Sequence, residues 1–314
     1  MTVPPILGDN ILVLGAGELG LEVLNGLTGV TYQGRKLHLS ALLRPVPANG
    51  MDDRPGKISE TLTALNVDIV RIDIATASQD ELAHVFSRFS TVICCTGFVG
   101  GSGTQLKVTS AVLQAGVKLY VPWQFGVDYD VVGRGSGQDV WDEQLDVRDM
   151  LRAQSRTHWI IISTGMFISF LFEPSFGLVD LDRNRVHALG NWDYRLTVTT
   201  PHDIGRLVAA ILTAVPSPID QVVYVGGDTI SYRELADTVD RVLSRSVERV
   251  LWTVSDLRAD LKAHPDDPIR KYRLAFARSD GVAWPLEQTF NALHDIPVTS
   301  VAAWLEARGA EDNS

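Results

Sequence analysis

Ile11-Leu12-Val13-Leu14-Gly15-Ala16-Gly17-Glu18-Leu19-Gly20 carries a short apolar run straight into three glycines. A segment with helical spacing, Glu18 to Leu27, follows at once. A glycine trio of this spacing is weak evidence alone, but between a strand and a helix near the start of a chain it is the fingerprint of a dinucleotide site. Each glycine then has its own task. Gly15 permits the tight turn, Gly17 lets a pyrophosphate approach the backbone, and Gly20 lets the helix pack close to the strand. Glu18 and Leu19 open the helix, whose unpaired amides and partial positive charge face the phosphates.

Reading outward, the same rhythm continues. Apolar runs at Leu37–Leu43, Val67–Ile72, Thr91–Cys95, Lys118–Val121 and Trp159–Ser163 alternate with helical segments from Lys57, over Asp80–Phe86, Thr104–Ala115 and Asp139–Gln154. Thr104 and Gly116 read as the N-cap and C-cap of the third of these helices. Six strands alternating with helices predict an α/β fold with a doubly wound parallel sheet of the Rossmann type. After Thr164 the pattern changes. Val186–Thr199 is extended, Pro201–Leu212 helical, Val222–Val225 a strand, and Ser231 with Glu234 a capping box before a helix to Leu243. Arg249–Val254 reads as a further strand, Asp256–Leu261 and Val301–Ala307 as helices, and Gly309–Ser314 as a disordered tail. The organisation expected is an NADP(H)-binding Rossmann domain over 1–165 and a smaller substrate-covering region over 166–314, partly interleaved with it.

The end of the second strand selects the dinucleotide. An NAD site places Asp or Glu there for the ribose 2′-hydroxyl. This chain has Ala41-Leu42-Leu43-Arg44-Pro45, with no acid, and Arg44 can pair with a 2′-phosphate. Arg54 and Lys57 follow and add charge. The cofactor expected is NADP(H). Ligands of such sheets lie beyond the carboxyl ends of the strands. That places Thr96, Gly97 and Phe98 after the fourth strand, and Pro122, Trp123 and Phe125 after the fifth, along the cofactor.

Composition narrows the class. Charged residues make up 21% and the net charge is -10, so a nucleic-acid backbone is not an expected partner. No apolar run approaches a membrane span, and Met1–Asn10 lacks the order of a signal peptide. A soluble cytoplasmic protein with a small-molecule substrate is expected, with no nucleic-acid and no membrane partner; a homodimer stays open. Cys94 and Cys95 are adjacent within an apolar strand and read as buried small hydrophobes. No Cys/His spacing suggests a metal.

These motifs, with Gly116-Val117-Lys118-Leu119-Tyr120-Val121-Pro122-Trp123-Gln124-Phe125-Gly126, Ser163-Thr164-Gly165-Met166-Phe167 and Thr200-Pro201-His202-Asp203-Ile204-Gly205, resemble the isoflavone reductase-like and NmrA-like group of atypical short-chain dehydrogenases. The fungal isoflavone reductase-like oxidoreductases are especially similar. The resemblance implies NADPH-dependent reduction of a small aromatic or polyketide-like compound of secondary metabolism. It also implies a substrate cleft beside the C-terminal segments, with Arg44 and Lys57 meeting the 2′-phosphate. Two positions depart from the family. Ser-Glu is replaced by Trp123-Gln124, and the lysine of the following helix falls on Gln144, which can hydrogen-bond a carbonyl but cannot act as an acid.

Gln144 and Tyr129 are therefore the catalytic candidates, one to orient a carbonyl or water and one to donate a proton. Asp128, Asp130 and Glu143 are acidic neighbours, and His202 reads as structural. Trp123, Met166, Phe167 and Phe170 are candidates to line a substrate pocket, Trp192 and Tyr194 to cap it, and Phe172 to sit in the core. Tyr32-x-x-x-Lys36 has the spacing of a short-chain dehydrogenase pair but precedes the second strand, far from the expected nicotinamide. The missing lysine keeps two other classes open: a dinucleotide sensor without catalysis, and a lyase or isomerase on the same scaffold.

Overall fold

The computed structural model describes residues 7–45 and 54–311. The first residues of the stretch read against a leader, 1–6, lie outside these, as do 312–314 of the expected tail. Two compact units share the chain. One comprises residues 1–124, 146–162 and 204–223, the other 125–145, 163–203 and 224–314. The units interleave: segment 204–223 belongs with the N-terminal part, and 125–145 with the later one.

The first unit is built on a seven-stranded sheet of β1 (Asn10–Leu14), β2 (His38–Leu43), β3 (Asp68–Arg71), β4 (Thr91–Cys94), β5 (Leu119–Val121), β6 (His158–Ser163) and β7 (Gln221–Tyr224). Their spatial order is 7-6-5-4-1-2-3. Strands β3 to β6 across the sheet pair in parallel, with Leu12 opposite Ser40 on one side and Val92 on the other. The order reverses between β1 and β4, the switch point at which doubly wound sheets bind ligands. Residues of β4 and β5 are buried throughout, which is why they read as unbroken apolar runs rather than alternating ones. The fold is the doubly wound α/β class expected.

Helices α1 (Glu18–Leu27), α2 (Arg54–Ala64), α3 (Gln79–Phe86), α4 (Thr104–Ala115), α5 (Asp139–Arg152) and α6 (Pro201–Thr213) fall where periodicity placed them. Leu12, Leu14, Val92, Cys94, Tyr120 and Ile161 of the strands share one core with Leu82, Phe86, Val108 and Val112 of α3 and α4. Helices α1 and α6 pass so closely that a Cβ on Gly26 would lie 2.3 Å from the Gly205 carbonyl oxygen. Gly116 caps α4 as expected, but its N-cap is Gly103, and Thr104 is already the first helical residue. The side-chain signal pointed one position late because a left-handed glycine (φ 82°) makes this entry.

Burial pushes the Cys94 and Cys95 thiols upward, so neither is poised as a nucleophile. Tyr32 and Lys36 lie in a two-stranded ribbon, with Thr31 opposite Lys36. The pair does not share a helix, as the dehydrogenase motif would require.

A buried polar pair adds a test of the first unit. Arg148 is fully buried, and its Nε donates to Gln124 Oε1 at 2.7 Å. Gln124→Leu removes an acceptor from a guanidinium out of reach of water. We expect a loss of about 2 kcal/mol, read as a lower urea midpoint.

In the second unit, strands Val179–Asp180, Arg185–Leu189 and Glu248–Trp252 form one small sheet, and Met166–Phe167, Arg195–Thr199 and Asp228–Ser231 another. Ser231 and Glu234 make the expected capping box at helix Tyr232–Leu243. The last helix runs Val301–Glu311, past the Gly309 at which disorder was expected. Phe172 is core, as expected, stacked on Trp304 with centroids 4.8 Å apart.

His187 lies against Trp252 at 3.9 Å, and its Nδ1 is 2.7 Å from the Gly177 carbonyl oxygen. The Arg273 guanidinium is 4.7 Å from the Trp252 ring. Burial holds the imidazole below its ordinary pKa, outweighing the Gly177 bond, and Arg185 and Arg273 push the same way. The unfolded chain therefore takes the proton first. This contribution to stability is full above the unfolded histidine value, about 6.5, and is lost as pH falls below it. The urea midpoint is expected to fall from pH 7.5 to pH 5.5, and to fall less in His187→Gln.

Candidate functional site

The site of the first unit is built at the carboxyl ends of β1, β2, β4 and β5. Chain reversal after β1 places Gly15 at φ +90°, with its amide donating to the Leu42 carbonyl at 3.0 Å. Gly17 is the N-cap of α1 and supplies no side chain to the first helical amides. A Cβ built there would meet no heavy atom within 4 Å, whereas one on Gly20 would fall 2.1 Å from the Gly15 carbonyl oxygen. Gly20 thus serves packing, and Gly17 keeps open a path to the backbone. Leu19 is buried under the helix and Glu18 is exposed. This is the geometry of an anion cradle: helix amides, a positive dipole end and no side chain in the way.

Arg44 is exposed directly after β2. Its carbonyl accepts a bond from Arg71 Nη1 at 2.9 Å, and Arg71 Nη2 lies 3.4 Å from Ser59 Oγ on α2. Lys57, exposed, sits two residues before Ser59 on that helix. The side chain of Arg54 lies outside the described residues. Sequence reasoning passed over Arg71; its position as the last residue of a strand flanking Arg44's strand was the signal that could have found it.

Beyond β4, a Cβ on Gly15 would lie 3.4 Å from both the Cys95 carbonyl and Thr96 Cα, so the two turns touch. Gly97 follows at φ +62°, and Phe98, 44% exposed, meets Trp123 edge to face with centroids 4.7 Å apart. Trp123 is half-buried, next to the buried Pro122 after β5. The expected residues Thr96, Gly97, Phe98, Pro122 and Trp123 thus share the carboxyl end of the sheet with Gly15, Gly17 and Arg44. Among the described residues, no group of three or more His, Cys, Asp or Glu could hold a metal ion.

The remaining candidates belong to the second unit. Phe125 is buried. Tyr129, expected in a loop, is 5% exposed at the start of a helical turn, Tyr129–Val132, capped by Asp128. Its ring packs on Trp141 at 6.1 Å, and its hydroxyl stands where a Gly126 Cβ would come within 2.5 Å. Asp128 also accepts from the Tyr224 hydroxyl at 2.8 Å, so this carboxylate is structural. Gln144 is 1% exposed on α5. Met166 is buried in the second unit's core, Phe167 is half-buried, and Phe170 stacks on Phe176 at 4.6 Å. His202 is exposed. A cleft of about 500 Å³ in this unit is lined by Tyr194, Arg195, Thr229, Trp284, Leu286 and Glu287, among others, and includes none of Met166, Phe167 and Phe170.

Sheet order, switch point and glycine turn define a Rossmann-type α/β protein. Comparison with known proteins carries this further. The NmrA-like family model matches residues 8–279, and the chain belongs to that family. An NmrA-like family domain-containing oxidoreductase of Gibberella moniliformis is 42% identical over 301 residues, covering 96% of this chain and 98% of that one. Among solved structures, an isoflavone reductase superposes with TM-score 0.78 at 18% identity, over 96% of this chain and all of its own. The binary complex of leucoanthocyanidin reductase with NADPH from Vitis vinifera gives 0.74 at 19%, over 95% and 98%. No helix among the described residues is long and apolar enough to cross a membrane.

Proposed function

We propose that this chain is an NADPH-dependent oxidoreductase that reduces a small aromatic or polyketide-like metabolite. The observation that carries the reading is the pairing of an unobstructed backbone at Gly17 with an exposed arginine, and no acid, directly after β2. Backbone amides of α1 would hold the pyrophosphate. Arg44, assisted by Lys57, would grip the 2′-phosphate through charge-assisted bonds. The 42% identical oxidoreductase and the NADPH complex of the leucoanthocyanidin reductase support the same class.

The cofactor supplies the hydride, and the protein's share is binding, orientation and a proton. Gln144 would orient the substrate carbonyl through its carboxamide. Tyr129 is the proposed proton donor, and Met166, Phe167 and Phe170 the apolar contacts. One observation favours a second reading, a dinucleotide sensor: Gln144, which the family resemblance sets at the lysine position, is buried and its carboxamide has no proton to give as an acid. Calorimetric titration with NADPH, followed by its absorbance decay with aromatic ketones and enones, separates the two. Uptake with decay supports the reductase. Uptake without decay across the panel supports the sensor, and absence of uptake removes both.

A further inference from the structure

We propose that Gln105 is a positioning residue for the nicotinamide end of the cofactor. Its carboxamide locks the turn at Gly97 and so holds Phe98 edge-on against Trp123. The inference rests on the cofactor reading above, and deepens it by naming the side chain that sets the aromatic wall of that site.

Gln105 lies in the first turn of α4 and is 4% exposed. Its Nε2 donates to the Gly97 carbonyl at 2.8 Å and lies 3.4 Å from Thr96 Oγ1. Its Oε1 accepts from the Cys94 thiol at 3.5 Å. One buried amide therefore ties down the end of β4 and both residues of the turn beyond it. The turn needs such a tie. Gly97 sits in the left-handed region, and Gly100, Gly101 and Gly103 after it all have positive φ. Glycine contributes no side-chain restraint and has the widest backbone freedom, so a segment this rich in it is not stiff by itself. Backbone bonds within it include the turn contacts of Val99 to the Thr96 carbonyl at 3.4 Å and of Gly101 to the Phe98 carbonyl at 3.1 Å. Fixing the Gly97 carbonyl fixes the plane of the next peptide and hence the direction of Phe98. Orienting that ring before the ligand arrives removes an ordering cost from binding.

A buried amide that only satisfies the core would affect every ligand alike. A positioning amide affects the nicotinamide half and spares the adenosine half. The test is calorimetric titration of the full chain with NADPH and with 2′,5′-ADP, which lacks the nicotinamide. Gln105→Met keeps the volume and helix propensity but loses the donor. We expect NADPH affinity to fall by about fivefold to tenfold, the worth of one hydrogen bond, with 2′,5′-ADP within about twofold of the parent. Gly97→Ala perturbs the same turn from the backbone side. The nearest atom to its Cβ, Trp123 Cζ2, is at an ordinary 3.9 Å, so only the left-handed φ is penalised. The same split is expected there, and this variant serves if Gln105→Met does not fold. Equal weakening of both ligands, or no change in either, overturns the inference and leaves the cofactor reading standing. A parent protein that takes up neither ligand overturns both.

Discussion

Gly17→Ala is expected to fold like the parent and to lose NADPH. The backbone there is extended (φ −78°, ψ −165°) and no heavy atom lies within 4 Å of the added Cβ, so stability should change by no more than about 1 kcal/mol. The methyl group would stand between the pyrophosphate and the α1 amides, and a weakening on the order of 100-fold, about 2.7 kcal/mol, is expected. Gly20→Ala inverts the outcome. Its Cβ would fall 2.1 Å from a backbone oxygen and 2.9 Å from a backbone carbon of Gly15, neither of which can step aside. Helix α1 would have to leave β1, and a loss of about 3 kcal/mol or more is expected. Urea denaturation and NADPH titration of the two variants separate the glycine that admits a ligand from the glycine that packs a helix. Equal stability losses in both would contradict this assignment.

Arg44→Ala is the second large effect. The proposed 2′-phosphate grip is charge-assisted, so NADPH affinity should fall about 100-fold while NADH affinity stays within about threefold. Arg71→Met should move the ratio the same way by a smaller factor, because Arg71 bonds the Arg44 carbonyl and adds charge beside it. Titration with both dinucleotides reads this directly. A parallel loss for NADH would mean that the arginines hold the fold of the corner rather than the phosphate.

These two predictions rest on parts of the molecule that were legible in the sequence. The switch-point sheet follows from apolar runs such as Thr91–Cys95, because buried parallel strands must be apolar on both faces. Local spacing also gave the capping box at Ser231 and Glu234. What escaped was non-local. That 125–145 belongs with the later unit depends on contacts such as the Asp128 amide to the Gly281 carbonyl at 2.8 Å, between residues far apart along the chain. Nothing in local periodicity announces them. Tyr129 read as a loop residue for the same reason: the residues that bury it, Trp141 and the core around it, come from later in the chain. Helix Pro268–Ala275 was missed although it carries a readable signal, an Asp267 N-cap followed by proline at the first helical position. The pairing of Arg71 with Arg44, and of Gln105 with Gly97, joins residues from separate strands and helices that only the sheet order brings together.

The carboxyl end of the sheet, in the proposed function, holds a 2′-phosphorylated dinucleotide. Calorimetric titration of the purified chain with NADPH and NADH tests it most directly. We expect saturable uptake of NADPH, with NADH weaker by about two orders of magnitude, the factor assigned to Arg44. Heat from neither ligand, or tighter uptake of NADH than of NADPH, would contradict it.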